Sequence, residues 1–152
     1  MYLGIDKGGT RHAFILADAE GEVLHRVQHE TDRHAGAQAE LDSLRQEVGV
    51  LLTNASASGS PVKAIGISFG GPVDIRTGRT LLSHHVPGWE GLPLRDLFEE
   101  WFGTPTVLDN DANVGALGEW KFGAGVGCCD MVYVNVGTGI GGGVIANGQL
   151  VR

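Results

Sequence analysis

Two glycine-rich turns stand near opposite ends of this chain, and each lies between short apolar runs that predict strands. The first is Asp-Lys-Gly-Gly-Thr at residues 6–10, and the second is Gly-Thr-Gly-Ile-Gly-Gly-Gly at residues 137–143. Glycine lets the backbone approach a ligand closely, and successive N–H groups in such a turn form a nest that binds anions. The repeated strand–turn–strand unit predicts two half-sites that close on one nucleotide phosphate group.

Composition and charge exclude several classes of function. Eleven basic against eighteen acidic residues give a net charge of −7, which argues against a nucleic-acid-binding surface. No signal peptide is indicated, and no apolar stretch approaches the length of a membrane span. The adjacent Cys128 and Cys129 form a poor disulfide pair without zinc-ligand spacing, and we expect them to be small buried or half-exposed residues. A cytoplasmic protein without a nucleic-acid or membrane partner is predicted.

The first half of the chain predicts strands and one long helix. Residues 2–6, 12–18 and 22–29 read as an antiparallel three-stranded meander. Across residues 37–51, apolar side chains recur at steps of four and three, which indicates one face of a helix. Residues 54–61 are rich in Ser, Ala and Gly and are predicted to be a loop.

The pattern then alternates between strands and helices. Residues 62–69, the region near 79–82 and residues 106–108 are predicted to be strands. Apolar spacing marks a second helix over residues 94–101, and a third helix is predicted to end near Phe122.

Residues 123–127, Gly-Ala-Gly-Val-Gly, are the best candidate for a domain boundary. Beyond them the strand–turn–strand pattern begins again, and Asn147-Gly148 predicts a two-residue hairpin. Residues 1–122 are therefore predicted to be one α/β lobe, and residues 123–152 the opening strands of an incomplete second lobe. Such a meander would leave an apolar face and an open edge, so we expect a truncated chain or one that needs a partner.

Two nucleotide motifs are excluded. Gly137, Gly139 and Gly142 match the spacing G-x-G-x-x-G, but that fingerprint requires a helix at its end, whereas a strand and a hairpin are predicted here. The sequence also contains no Gly-Lys-Ser/Thr, so it has no P-loop.

Asp6 follows a predicted strand, where a carboxylate can reach Mg²⁺ or its waters, since Mg²⁺ is held by one or two carboxylates together with phosphate oxygens. The alternative is that Asp6 only begins a turn. Lys7 can neutralise phosphate, although a lysine in a loop is more often simply solvated.

Residues 109–113, Asp-Asn-Asp-Ala-Asn, also follow a predicted strand and open a helix. A carboxylate there can accept the proton of a hydroxyl nucleophile in phosphoryl transfer. The simpler alternative is that Asn110 or Asp111 is only the helix N-cap. One cap suffices, so the surplus of polar side chains favours ligand binding.

Two further segments are weaker candidates. Residues 70–74, Gly-Gly-Pro-Val-Asp, form a glycine turn after a strand, and by itself this pattern indicates a tight turn. The paired His84 and His85 have no acidic or cysteine partner at metal-site spacing, so we interpret them as loop residues. Trp89 is expected to anchor packing.

Taken together, these segments resemble the sugar-kinase branch of the ROK family (repressors, open reading frames and kinases), which has the actin-like ATPase fold. The resemblance implies an α/β, ribonuclease H-like domain with a mixed sheet, followed by the first hairpins of a second similar domain. The matching segments, in order along nearly the whole chain, are residues 6–10, 70–74, 87–94, 110–113 continuing to 118–119, and 137–143.

The resemblance implies an ATP-dependent, glucokinase-like enzyme that phosphorylates glucose or a related hexose. Asn110 and Asp111 would contact the sugar, with Asp111 as the general base, and Gly71 and Pro72 would line the sugar pocket. Mg²⁺ would reach Asp6 through phosphate or water. The ATP phosphates would lie at the two glycine turns, formed by Asp6, Gly8, Gly9, Thr10, Gly137, Thr138 and Gly139.

Some features depart from the family pattern. His85 stands where family members commonly have Asn, and Lys7, Arg11 and His12 are not the commonest residues beside the first turn. The family's zinc motif and adenine pocket would lie beyond Arg152, and the full-length form is expected to be a homodimer.

The family also has a repressor branch, which carries a winged-helix segment before the first glycine turn. This sequence starts at that turn, which favours the kinase branch. We expect little or no kinase activity from the 152 residues alone. The alternatives are a sugar-sensing regulatory module without catalysis and the remnant of a broken gene.

Overall fold

The computed structural model describes residues 1–31, 36–83, 86–137 and 139–152. His84, His85 and Thr138 therefore lie outside the described residues. The chain divides into two compact units, Met1–Asp109 and Asn110–Arg152. The division into lobes at residue 122 stays a prediction.

The first unit contains a five-stranded mixed sheet. Its strand order is β3-β2-β1-β4-β7, in which β1 pairs antiparallel with β2 and parallel with β4. The predicted antiparallel meander of β1 to β3 is therefore confirmed. The five strands are β1 (Tyr2–Lys7), β2 (Arg11–Ala17), β3 (Val23–Glu30), β4 (Ile65–Phe69) and β7 (Thr106–Asn110).

Two helices complete the core of this unit. They are α1 (Gly36–Ala57) and α2 (Leu94–Phe102). One face of β1 buries alternate residues, and these join the apolar faces of both helices in a single cluster. The opposite face of β1 is exposed and carries Asp6. Period-two alternation thus places neighbouring residues of β1 in different environments.

The prediction of a loop from residue 54 was wrong, because α1 continues to Ala57. Ala55 is buried and extends the stripe formed by the earlier apolar residues of α1. Tertiary packing overrides the weak helix propensity of Ser and Asn in this turn. The helix stops before Gly59, which has a φ of +78°.

A small hairpin joins the sheet to α2. Its strands are β5 (Val73–Asp74) and β6 (Arg79–Thr80), so the strand predicted near residues 79–82 is shorter than expected. Gly78 has a φ of +68°, and a Cβ there would lie 2.6 Å from Cβ of Arg95. Both the turn conformation and the close packing of α2 therefore require glycine.

The second unit is one helix packed on a three-stranded sheet. The helix is α3 (Asp111–Phe122), and the sheet has the order β10-β9-β8. Asn147 and Gly148 both have positive φ, at 49° and 68°, which confirms the predicted two-residue hairpin. The strands are β8 (Met131–Val136), β9 (Ile140–Ala146) and β10 (Gln149–Leu150).

The second glycine-rich segment is only partly a turn. Gly141, Gly142 and Gly143 belong to β9, whereas the sequence predicted a loop through residue 143. A Cβ at Gly143 would lie 2.5 Å from Cβ of Ala116 and 2.9 Å from the carbonyl oxygen of Ala112. These glycines therefore let α3 approach the sheet closely.

The other face of this sheet is apolar and exposed in the described part of the chain. The side chains on it belong to alternate residues of β8 and to their cross-strand partners on β9. The expectation of an open apolar face is confirmed for the described residues. Its members are Val132, Val134, Val136, Ile140 and Val144.

Cys128 and Cys129 are free and exposed, so the expectation that they are buried or half-exposed was wrong. They lie in the connection between α3 and β8, where the indole N–H of Trp120 donates to the carbonyl oxygen of Cys128 at 2.7 Å. Hydrogen bonds to backbone groups of this connection, rather than burial of the cysteine side chains, hold it in place.

We predict opposite effects of two Gly→Ala substitutions in the second unit. Gly143→Ala should lower the free energy of unfolding by about 1–3 kcal/mol, because the new methyl group overpacks the contact with α3. Gly118→Ala, at an exposed position of α3 with nothing near its Cβ, should raise it by up to about 1 kcal/mol. Urea unfolding of the complete gene product measures the free energy of unfolding of both variants. Equal changes in the two variants would contradict the close contact between Gly143 and α3.

Candidate functional site

The first glycine turn connects β1 to β2 at one end of the five-stranded sheet. The N–H of Gly8 donates to the carbonyl oxygen of Arg11 at 3.0 Å, which closes the turn. A Cβ at Gly8 would lie 2.9 Å from that same oxygen, so the turn excludes larger residues. Gly9 is half-buried and Thr10 is exposed.

Asp6 lies on the exposed face of β1, beside this turn. The Ser68 hydroxyl donates to Oδ1 of Asp6 at 2.8 Å, and the two residues are register partners on β1 and β4. Asp6 is therefore an oriented carboxylate within the sheet, rather than a residue that only begins a turn. A single carboxylate fits Mg²⁺ when phosphate and water supply the remaining ligands.

The structure brings the Gly70–Gly71 turn next to the first glycine turn. The N–H of Gly70 donates to the carbonyl oxygen of Lys7 at 2.9 Å. A Cβ at Gly71 would lie 2.5 Å from the carbonyl oxygen of Leu82, so this position requires glycine. Pro72 accepts a backbone hydrogen bond from Leu81 at 2.9 Å. The predicted phosphate and sugar segments of the first unit are thus neighbours.

Asn110 and Asp111 stand at the start of α3. Asn110 is the N-cap, and its side-chain oxygen accepts from the N–H of Ala112 at 3.0 Å. Its amide nitrogen donates to Oδ1 of Asp111 at 2.8 Å. Asn110 therefore both caps the helix and orients the neighbouring carboxylate, so the two interpretations from the sequence are compatible.

The second glycine turn connects β8 to β9 in the same unit as Asp111. The N–H of Gly137 donates to the carbonyl oxygen of Gly139 at 2.8 Å. A Cβ at Gly141 would lie 3.1 Å from Cβ of Ala112, which places the beginning of β9 against the first turn of α3. The structure therefore brings this turn close to the start of α3.

Lys7 is neither solvated nor part of a loop, so the expectation of a solvated loop lysine was wrong. It is the last residue of β1, faces the core with Leu3 and Ile5, and is 2% exposed. Its Nζ lies 2.9 Å from Oε2 of Glu40 on α1. No local pattern indicates this ion pair, because Glu40 is 33 positions away on a helix of mixed polarity.

Trp89 and His12 complete a buried polar cluster around Glu40. The indole N–H of Trp89, which is fully buried, donates to Oε2 of Glu40 at 2.8 Å. Nε2 of His12 lies 3.6 Å from Oε1 of Glu40. Nζ of Lys7 also lies 4.6 Å from the centroid of the Trp89 ring. We call Lys7, His12, Glu40 and Trp89 the Glu40 cluster; the role of Trp89 as a packing anchor is confirmed.

Burial and pairing act in opposite directions on the Glu40 cluster. Burial alone would raise the pKa of the Glu40 carboxyl, but contacts with His12, Lys7 and the Trp89 indole hold that pKa below its ordinary value of 4.5. For the Lys7 ammonium, burial lowers the pKa by more than the hydrogen bond and charge of Glu40 raise it.

Two absences hold for the part of the chain that the structure describes. No group of three or more His, Cys, Asp or Glu side chains is arranged to hold a metal ion. No helix in the described ranges has both the length and the apolar character needed to cross a membrane.

Comparison with known proteins identifies the family. The ROK family pattern matches residues 2–152. The chain belongs to the ROK family. Glucokinase of Halalkalibacterium halodurans is 34% identical to it over 152 residues, which are 99% of this chain and 46% of that protein. The xylose repressor of Caldicellulosiruptor bescii is 31% identical over 150 residues, 99% of this chain and 37% of the repressor.

A solved ROK structure supports the fold directly. The ROK glucokinase from Streptomyces griseus in complex with glucose and AMPPNP superposes with a TM-score of 0.82 and 35% identity, over 99% of this chain and 46% of that one. The expected α/β, actin-like ATPase fold with a mixed sheet is therefore confirmed. This ROK chain spans less than half the length of these relatives.

Glu40→Gln should give a pH-dependent loss of stability. The substitution leaves the Lys7 cation buried without a counter-charge, at a cost of about 3–5 kcal/mol near neutral pH. Because the pKa of Glu40 is lowered by folding, its contribution is fully present above 4.5 and is lost as the pH falls below that value.

The stability difference between wild type and Glu40→Gln should therefore be constant from about pH 5.5 to neutral pH and shrink in acid. Chemical denaturation at a series of pH values measures it. Glu47→Gln, a half-exposed glutamate on the same helix, is the control. A difference that does not change with pH would contradict the buried carboxylate.

Proposed function

We propose that the complete protein transfers the γ-phosphoryl group of ATP to a hydroxyl group of a hexose, with Asp111 as the general base. The observation that carries the proposal is the oriented Asn110–Asp111 pair at the start of α3. The identity to a glucokinase along nearly the whole chain supports the reaction class.

The geometry of Asp111 suits a base. Its described hydrogen bonds, from Asn110 Nδ2 and the N–H of Ala112, both involve Oδ1. The side chain is exposed, and Oδ2 can accept the hydroxyl proton.

In the proposed reaction, Asp111 accepts the hydroxyl proton while the sugar oxygen bonds to the γ-phosphorus. The bond from that phosphorus to the bridging oxygen breaks, and ADP leaves with its electron pair. Phosphoryl transfer depends mainly on positioning and charge neutralisation, so one oriented base and phosphate-binding backbone are the parts the protein must supply.

We assign the other roles by the same reasoning. The backbones of Gly8–Thr10 and Gly137–Gly139, with Thr138 included by analogy to the first turn, contact the ATP phosphates. Gly71 and Pro72, with Asn110, contact the sugar. Asp6 would hold Mg²⁺ through water or phosphate oxygens, and the ion would supply neutralisation of charge on the phosphates.

A second candidate function is sugar-dependent regulation without catalysis. The observation in its favour is the 31% identity to a xylose repressor over the same residues. Such a module would bind sugar but would not consume ATP. The two functions therefore differ in ATP turnover rather than in sugar binding.

Asp111→Asn in the complete gene product should lower kcat by about 10²–10⁴-fold, because the amide cannot accept the proton. Sugar binding, measured by calorimetry, should be retained, because the amide keeps an oxygen at the same place. A coupled assay for ADP release with glucose gives the rates.

The control is Asp130→Asn, which removes one carboxylate from the same unit but keeps an acceptor for the N–H of Asn147. It should leave turnover near that of the wild type. Unchanged turnover in Asp111→Asn would remove Asp111 from the role of base. Sugar binding without ADP release in the wild type would favour the regulatory function.

A further inference from the structure

The Glu40 cluster connects segments that are distant in sequence. Glu40 lies in the second turn of α1, and its Oε2 receives both the Lys7 ammonium and the Trp89 indole N–H, at 2.9 and 2.8 Å. The side chains of Lys7 and Glu40 are 2% and 3% exposed. One carboxylate oxygen thus joins the end of β1 to the segment Pro87–Leu94.

Lys7 links Glu40 to two glycine turns, Gly8–Thr10 and Gly70–Pro72. It immediately precedes Gly8–Thr10, so fixing Lys7 fixes the first residue of that turn. Its carbonyl oxygen also accepts a hydrogen bond from the N–H of Gly70, the first residue of the turn Gly70–Pro72. Both turns therefore depend on the position of one buried lysine.

Trp89 connects Glu40 to a third segment, Pro87–Leu94. The Thr80 hydroxyl donates to the carbonyl oxygen of Trp89, and the N–H of Gly91 donates to the carbonyl oxygen of Thr80 at 2.8 Å. The Trp89 ring lies 5.3 Å from the Phe69 ring, measured between centroids. Phe69 directly precedes Gly70, so this ring packing also joins the segment Pro87–Leu94 to the turn Gly70–Pro72.

Stability alone does not account for such a cluster. Two charges removed from water lose hydration, and apolar side chains of similar volume often stabilise a protein as well or better. A buried ionic group with directional partners, in contrast, specifies one arrangement of the backbone.

We propose that Glu40 is a positioning residue: through Lys7 and Trp89 it fixes the turns Gly8–Thr10 and Gly70–Pro72 and the segment Pro87–Leu94 in the arrangement that binds substrates. The inference rests on the proposed function for its kinetic consequence. Its structural consequence, the ordering of these segments by Glu40, is independent of catalysis.

Two variants of the complete gene product separate positioning from stability. Glu40→Gln keeps the size of the side chain but leaves Lys7 unpaired, and it should lower the melting temperature by about 10 °C or more. The double variant Lys7→Met/Glu40→Leu removes both charges but also the acceptor of the Trp89 indole N–H, so its melting temperature should recover only part of the loss.

In the double variant, KM for the sugar and the rates of amide hydrogen exchange should not return to their wild-type values. In the double variant we expect KM for the sugar to stay raised about tenfold or more, with kcat changed much less, because the turns are no longer held in place. Hydrogen exchange at the amides of Gly8, Gly70 and Gly91 should be about tenfold faster than in the wild type, while amides of β2 and β3 keep their rates. Glu47→Gln, on the same helix, should change neither quantity.

The outcomes are distinct. Wild-type KM and wild-type exchange in the double variant would overturn the proposal, because stability would then be the whole role of the cluster. Faster exchange confined to the three amides supports it. If the wild type phosphorylates no sugar, the proposed function fails, and the exchange measurement still decides whether Glu40 orders these segments.

Discussion

The buried Glu40 carboxylate is the interaction on which the arrangement of the first unit depends. It lies in the core between α1 and the sheet, where an unpaired charge would be costly, and its Oε2 is paired with a lysine and an indole from two other segments. Nε2 of His12 lies 3.6 Å from Oε1, which has no hydrogen-bond partner among the described residues. Apolar contacts among the neighbouring residues are not directional and would tolerate small shifts. The ion pair and the indole hydrogen bond are directional, so they select one register of helix, strand and loop.

Strand alternation explains how one short segment serves both the core and the surface. Lys7 points toward α1 and is buried, whereas Asp6 points to the opposite face and is exposed beside Ser68. The backbone that continues into Gly8–Thr10 is therefore held from both sides, by an ion pair beneath the sheet and by a hydroxyl hydrogen bond above it. A turn held in this way can present its N–H groups with little loss of entropy on binding.

The second unit depends on a different constraint, which is the close approach of a helix to a sheet. Gly143 leaves room for Ala116 and for the backbone of α3, so the start of this helix is fixed with little side-chain volume between the layers. Asn110 then uses its oxygen to cap the helix and its amide group to orient Asp111. The packing of α3 and the orientation of Asp111 therefore depend on the same few contacts in this unit.

Local sequence patterns predict most elements, the α/β class and the first glycine turn, because alternation, helical periodicity and turn chemistry are local properties. They also place Asn110 and Asp111 at a helix start. Only the tertiary structure decided that Lys7 is buried, that α1 continues through Ala55 and that Gly141–Gly143 form a strand. Each of these depends on a partner that is distant in sequence or on a packing surface: Glu40 for Lys7, the core for Ala55, and α3 for the glycines. Local pattern carries no information about such partners, because burial and pairing are decided only when the segments meet.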